Sequence, residues 1–272
     1  MKKWLAVILM LTMVVLTACG SGDKGSSKDT STVEQVKEKK KLVIGTNAGY
    51  YPFEMIDKKG EMVGYDMDVA KAFAKTLGAE VEVKQYGFDS LIAALQAGKV
   101  DAVFAGMTIT PERENAVDFG ESYYKTGQSV MVKADSDAKT IEDIDKKGVK
   151  IAVQIGTTGS IVAKKVIKNA EVKEFDDFPT AAIASQQGQV DAVIYDEPAI
   201  KVYALQNEGK VKALKDLLAT DSLGIAIKKD DKKMLDALNK FLKEYIGSDE
   251  EIATKKKWFE DSDWLKTVKK PE

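Results

Sequence analysis

The decapeptide GMTITPEREN, residues 106–115, holds the single arginine of a chain whose Lys and Arg together number 41. A planar guanidinium grips a carboxylate through two parallel hydrogen bonds, a geometry the point charge of lysine does not reproduce. Lysine serves the ordinary surface pairings of this chain. Arg113 therefore reads as a carboxylate clamp rather than as a partner for Glu112, Glu114 or Asp118. Its counterpart is Asp196 in VIYDEP, an anion suited to an ammonium group. The plainer reading of Asp196 is a helix or turn cap ahead of Pro198. Taken together, the two suit a zwitterion with both charges on one carbon, and an α-amino acid is the simplest such ligand.

These residues need elements that bring them face to face, and the chain supplies them twice. EVKQYGFDSLIAALQAGKVDAVFAG (residues 82–106) aligns with EVKEFDDFPTAAIASQQGQVDAVIYD (residues 171–196) after a shift of one residue. Each passes from an alternating strand through an aromatic turn and an Ala/Leu/Ile helix, breaks at Gly98 or Gly188, and enters a short strand VDAV. Apolar strands KLVIGTN and VKIAVQIGTTG open the two halves. Strands alternating with helices predict an α/β fold with mostly parallel sheets. Ligands of such sheets bind outside the carboxyl ends of the strands. That rule nominates Asn47, Gly106, Met107, Thr108, Gln154, Thr158, Gly159, Tyr195 and Asp196. GQSVMVKAD and SLGIAIKKD read as crossovers, so the first lobe is expected to be discontinuous: residues 41–122 and 224–272. The second is expected over 128–218, with hinges at 123–127 and 219–223 that close like a clamshell.

The ends are different material. Lys2 and Lys3 precede an apolar run over residues 4–16 that is short for a membrane span. LTAC then places Cys19 where the lipobox of bacterial lipoproteins has its lipid-bearing cysteine, so residues 1–18 are expected to be a signal peptide. Residues 19–41, rich in Gly, Ser and charge, are expected to form a flexible tether. A formal net charge of −2 argues against nucleic acid as a partner.

In order, GYYPFE, GYDMDVAKAF, AGMTITPEREN, YY, GTTGS and VDAVIYDEP resemble the bacterial polar-amino-acid-binding proteins of ABC importers (solute-binding protein family 3), the glutamine-binding members above all. The resemblance covers about residues 41–260. It implies a two-lobed periplasmic-binding-protein-like fold with the ligand in the cleft. By the same resemblance Arg113 holds the α-carboxylate, helped by Thr108 and by Thr158 or Gly159. Asp196 and the Gly106 carbonyl hold the α-ammonium, and Tyr50 and Phe88 enclose the side chain. Asp66 and Asp68 of GYDMD would cap the helix that follows. No metal or cofactor is implied. The partners would be an L-amino acid, a permease with its ATPase, and the membrane through the lipid on Cys19. A monomer is expected.

Side-chain selectivity in the family depends on the positions of Asn47, Gln154 and Tyr195, and here the chain departs from the aspartate, lysine and histidine of close glutamine binders. Neutral amides at Asn47 and Gln154 both donate and accept. An uncompensated charge against them in a dry cleft is costly, which makes L-glutamine the first expectation. Arginine is the alternative, with Glu54 or Asp89 in reach of a guanidinium; asparagine, histidine and cystine also remain open. Two other classes compete: a cyclohexadienyl-dehydratase-like enzyme, which would need a positioned acid or base in a chain without histidine, and an amino-acid sensor ectodomain.

Overall fold

The computed structural model describes residues 31–269. The expected signal peptide, Cys19 and the first part of the expected tether lie outside the described residues. In chain order the first elements are α1 (Thr32–Lys39), β1 (Lys41–Thr46), β2 (Met55–Ile56), β3 (Met62–Val63), α2 (Tyr65–Thr76) and β4 (Glu80–Gln85). Next come α3 (Leu91–Gln96), β5 (Ala102–Val103), α4 (Pro111–Glu114), β6 (Val117–Phe119) and β7 (Tyr124–Lys133). The middle of the chain supplies α5 (Ile141–Ile144), β8 (Lys150–Gln154), α6 (Thr158–Val166), β9 (Glu171–Phe175), α7 (Phe178–Gln186), β10 (Ala192–Asp196) and α8 (Glu197–Gln206). It closes with β11 (Val211–Ala213), β12 (Ala219–Leu223), β13 (Ala226–Lys228), α9 (Lys232–Tyr245) and α10 (Asp249–Lys255).

Two sheets with matching strand order form two lobes. The first runs β4-β1-β5-β13-β6 and the second β9-β8-β10-β7-β11. In each, the three strands at one side are parallel and the fourth is antiparallel to its neighbours. Strands β8 and β10 are buried almost end to end, because helices cover both faces of the parallel part and no face alternates toward water. Two connections pass between the sheets, from β6 into β7 and from β12 into β13. Strands β7 and β12 lie side by side there, in register from Tyr124↔Leu223 to Gln128↔Ala219.

Two local expectations change. The expected tether is helical at its end: α1 starts at Thr32 with Ser31 and Glu34 forming a capping box. Val33 and Val36 are buried, and Lys233 of α9 pairs with Glu34 at 2.7 Å. Two apolar residues three apart behind an S-x-x-E cap suffice for a docked helix within an otherwise polar stretch. The aspartates of GYDMD do not cap α2, which has Gly64 at its N-cap and no side-chain cap bond. Instead Asp66 accepts the Gly106 N–H at 2.8 Å and the Tyr123 hydroxyl at 2.7 Å. Asp68 accepts from Lys257 and from the Trp258 indole, each at 2.7 Å. Both lie in the first turn of α2, and their side chains turn away from the helix end to fasten neighbouring segments, Asp66 in the interior and Asp68 nearer the surface.

Candidate functional site

Arg113 sits where the helix-start signals of its segment place it. The Thr110 hydroxyl accepts the Arg113 N–H, and Pro111 opens α4. The side chain is 8% exposed. Its Nη1 donates to the Thr108 carbonyl at 2.7 Å and its Nη2 to the Gly156 carbonyl of the other lobe at 3.0 Å. Two of its five N–H donors are thereby used, leaving three for an anion. The Phe88 ring lies 5.2 Å from the guanidinium carbon, within cation–π range. Burial lowers the Arg113 pKa to about 10, against the opposing attraction of Asp196, Asp221 and Glu112, so it stays charged at neutral pH.

Opposite lies the start of α6. Thr157 caps it by accepting from Ser160 N–H, and Thr158 and Gly159 stand in its first turn. The Thr158 hydroxyl is 3.2 Å from that of Thr108 in the first lobe. A helix N-terminus, two hydroxyls and a guanidinium around one point favour a carboxylate.

At the other end, β10 delivers Asp196. The Tyr50 hydroxyl of the first lobe donates to its Oδ2 at 2.5 Å, and Gln128 on β7 donates to its Oδ1. The antiparallel pairing sets Asp196 directly against Gln128. The Gln128 amide nitrogen also lies 2.7 Å from Asp221 Oδ2 and 3.0 Å from Thr158 Oγ1, joining the two ends of the cleft. Burial raises the Asp196 pKa to about 6, although the Tyr50 and Gln128 bonds pull it down. Gly106 adopts φ +51°, and a Cβ there would lie 2.1 Å from the Tyr50 ring. Only glycine lets the loop pass over that ring. Tyr195 packs its ring edge-on to Tyr50 and stacks on Phe178 at 4.5 Å.

Between these ends, Gln154 Nε2 donates to Asn47 Oδ1 at 2.9 Å and to the Asp176 carbonyl at 3.1 Å. Asn47 Nδ2 donates to the Tyr86 carbonyl at 2.8 Å. Asn47, Tyr50, Thr108 and Arg113 of one lobe thus meet Gln154, Gly156, Thr158, Tyr195 and Asp196 of the other, while Phe88 lies against Arg113, Gly106 against Tyr50 and Gly159 beside Gln128, each within its own lobe. Met107 is placed differently: its side chain is fully buried with Phe88 and Val103, and its carbonyl accepts from Gly224. Sequence reasoning missed Gln128 and Asp221. Their signal was their position on the crossover strands, Gln128 on β7 beside the end of β10 and Asp221 on β12 beyond β7.

The profile of the bacterial extracellular solute-binding proteins, family 3, matches residues 42–261. The chain is 35% identical over 264 residues to the arginine-binding extracellular protein ArtP of Bacillus subtilis (strain 168), covering 95% of this chain and 98% of that protein. It is 34% identical to the ABC transporter glutamine-binding protein GlnH of the same organism, covering 94% and 96%. Among solved structures, an ancestral arginine-binding protein bound to arginine matches with a TM-score of 0.77 and 41% identity, over 80% of this chain and 98% of that one.

Proposed function

The chain belongs to the bacterial extracellular solute-binding proteins of family 3, and from that premise we propose that it captures one L-amino acid by closing its two lobes. The observation that carries the reading is the pair of opposite charges, Arg113 and Asp196, presented from different lobes at the ends of one cleft. Arg113, Thr108 and the α6 N-terminus take the carboxylate; Asp196 takes the ammonium. Only a closed cleft lets both engage, so the ligand shifts the population toward closure. Strands β7 and β12 are the hinge. The closed protein then delivers its ligand to an ABC permease and its ATPase, tethered through lipid on Cys19.

Hydrogen-bond capacity guides the choice of ligand. The N–H groups of the Asn47–Gln154 pair are directed to Tyr86, Asp176 and Asn47. What remains is mainly acceptor capacity, on Gln154 Oε1 and the second lone pair of Asn47 Oδ1, against a single N–H of Asn47 Nδ2. Asp196 and Asp221 also outnumber Arg113. Both features favour a side chain that ends in N–H donors and carries positive charge, so L-arginine moves ahead of L-glutamine, whose amide NH2 still meets the acceptors. The arginine- and glutamine-binding relatives support both. Those relatives also support capture without turnover; conversion of prephenate or arogenate would contradict it.

A thermal-shift panel of the standard amino acids tests the reading. A ligand at about 100 times its Kd adds about 2.7 kcal/mol, a shift of several degrees. A dominant shift with arginine is expected. Dominance of an acidic amino acid would overturn the side-chain reading, and no shift with any amino acid would overturn the whole.

A further inference from the structure

One carboxyl near the ammonium end has no part in the grip described above. Glu54 follows the turn that carries Tyr50. It is 1% exposed, and neither Oε1 nor Oε2 has a hydrogen-bond partner among the described residues. A carboxylate so placed loses its hydration with nothing in return. The groups facing it come from every neighbouring element: Tyr50 from its own turn, Asp66 from α2, Tyr123 from the segment before β7, and Tyr195 and Asp196 from β10. Arg113 and Asp221 in turn face Asp196. Burial pushes the Glu54 carboxyl well above the usual range, and repulsion from Asp66 and Asp196 adds to it. Asp66 is itself raised to about 7 by burial, against the bonds from Gly106 and Tyr123.

Three buried acids therefore crowd one end of the cleft, and the cation that would balance them is the one the ligand brings. We propose that Glu54 is a positioning residue that holds a proton while the cleft is free and gives it up when the ligand's ammonium settles on Asp196, so that capture releases a proton. The O–H bond of Glu54 breaks, its electron pair stays on the carboxylate, and the proton passes to solvent base. The new carboxylate then adds long-range attraction for the ammonium through a dry interior, where charges interact strongly. This inference rests on the amino-acid reading of the cleft.

The test is calorimetric titration of the protein with L-arginine, and in parallel L-glutamine, at pH 7 in phosphate and in Tris. These buffers differ in ionisation enthalpy, so the difference in binding heat counts protons released. Expected is a net release of a sizeable fraction of a proton by the wild type, and clearly less by Glu54→Gln, in which only the partly protonated Asp66 and Asp196 are left to contribute. Affinity of the wild type should rise between pH 6.5 and 8, by up to about tenfold per pH unit if one full proton is released; the variant should rise markedly less there. Should Glu54→Gln not fold, carbonyl NMR of 13C-glutamate-labelled wild type reads the same event, as one buried carboxyl changing from acid to carboxylate on ligand addition. Equal heats in both buffers, or the same release from the variant, overturn the proposal and leave the amino-acid reading intact. No binding heat with any amino acid overturns both.

Discussion

The two strand–helix–strand units, residues 82–106 and 171–196, share their interior and part at their last residues. Asp101 accepts the Val43 N–H and Asp191 the Lys150 N–H, both at 2.8 Å, so the aspartate of each VDAV pins its strand to the next. Gly98 and Gly188 follow helices α3 and α7 at φ 65° and 74°, where the left-handed turn suits glycine. Beyond the strand, the first unit delivers Gly106, a backbone that passes over the Tyr50 ring, and the second delivers Asp196, a buried anion. The repeated residues are scaffold. The divergent residue just past each strand is where the two lobes acquire different chemistry, one neutral and one charged.

Substitutions along one unit separate these roles. Asp196→Asn should cost about a hundredfold in affinity, since removing one member of a desolvated charge pair costs about 2–5 kcal/mol. Asp191→Ala, five residues upstream, should lower stability by about 1 kcal/mol through one lost hydrogen bond and leave affinity nearly unchanged. Titration calorimetry and urea unfolding of both variants check this; equal affinity losses would erase the division between scaffold and grip. In the other lobe, Arg113→Lys should weaken binding at least about tenfold, or about 1.4 kcal/mol, because lysine cannot span the carboxylate.

Acidity tests the same end. The Asp196 carboxyl, ordinarily near 3.8, sits at about 6 in the structure, and an ammonium beside it pulls that value down. The contribution of Asp196 to affinity is therefore full above about pH 7, on top of any rise from Glu54, and falls as pH drops through 6, by about tenfold at pH 5. Stability has the opposite sign. A folded pKa raised above the unfolded one contributes stability below pH 3.8 that is lost as pH rises through 6. Asp196 and Asp66 should thus make the ligand-free protein melt lower at pH 7 than at pH 5. A melting profile and a Kd profile that move together would contradict this. The smallest effect is expected at the repeated glycines: Gly98→Ala and Gly188→Ala should each cost about 1 kcal/mol of stability with no change in Kd.

What the sequence revealed follows the same boundary. Local periodicity and punctuation made both units legible, and the scarcity of arginine made Arg113 stand out. Gln128 and Asp221 did not stand out, because their meeting with Asp196 depends on β7 pairing antiparallel with β10 and β12, a register between segments far apart in the chain. Asp66 was misread for a related reason. Its place in the first turn of α2 matches a cap, but its partners, Gly106 and Tyr123, come from distant segments. The amide pair was read as both donor and acceptor, and only its neighbours Tyr86 and Asp176 reveal which capacity is already used. Local chemistry is visible in a sequence, whereas the saturation of a group by distant partners is not.

The grip at both ends is tested most directly by calorimetry with three ligands that differ in one group: L-arginine, its α-amide, and its α-deaminated analogue (or the glutamine set, should the panel favour glutamine). Expected is a loss of about a hundredfold or more for each altered ligand, with the uncharged Arg113→Gln distinguishing the acid from the amide far less and Asp196→Asn distinguishing amine from deaminated analogue far less. An α-amide or deaminated ligand that binds the wild type as tightly as the amino acid would contradict the assignment of Arg113 and Asp196 to the two ends.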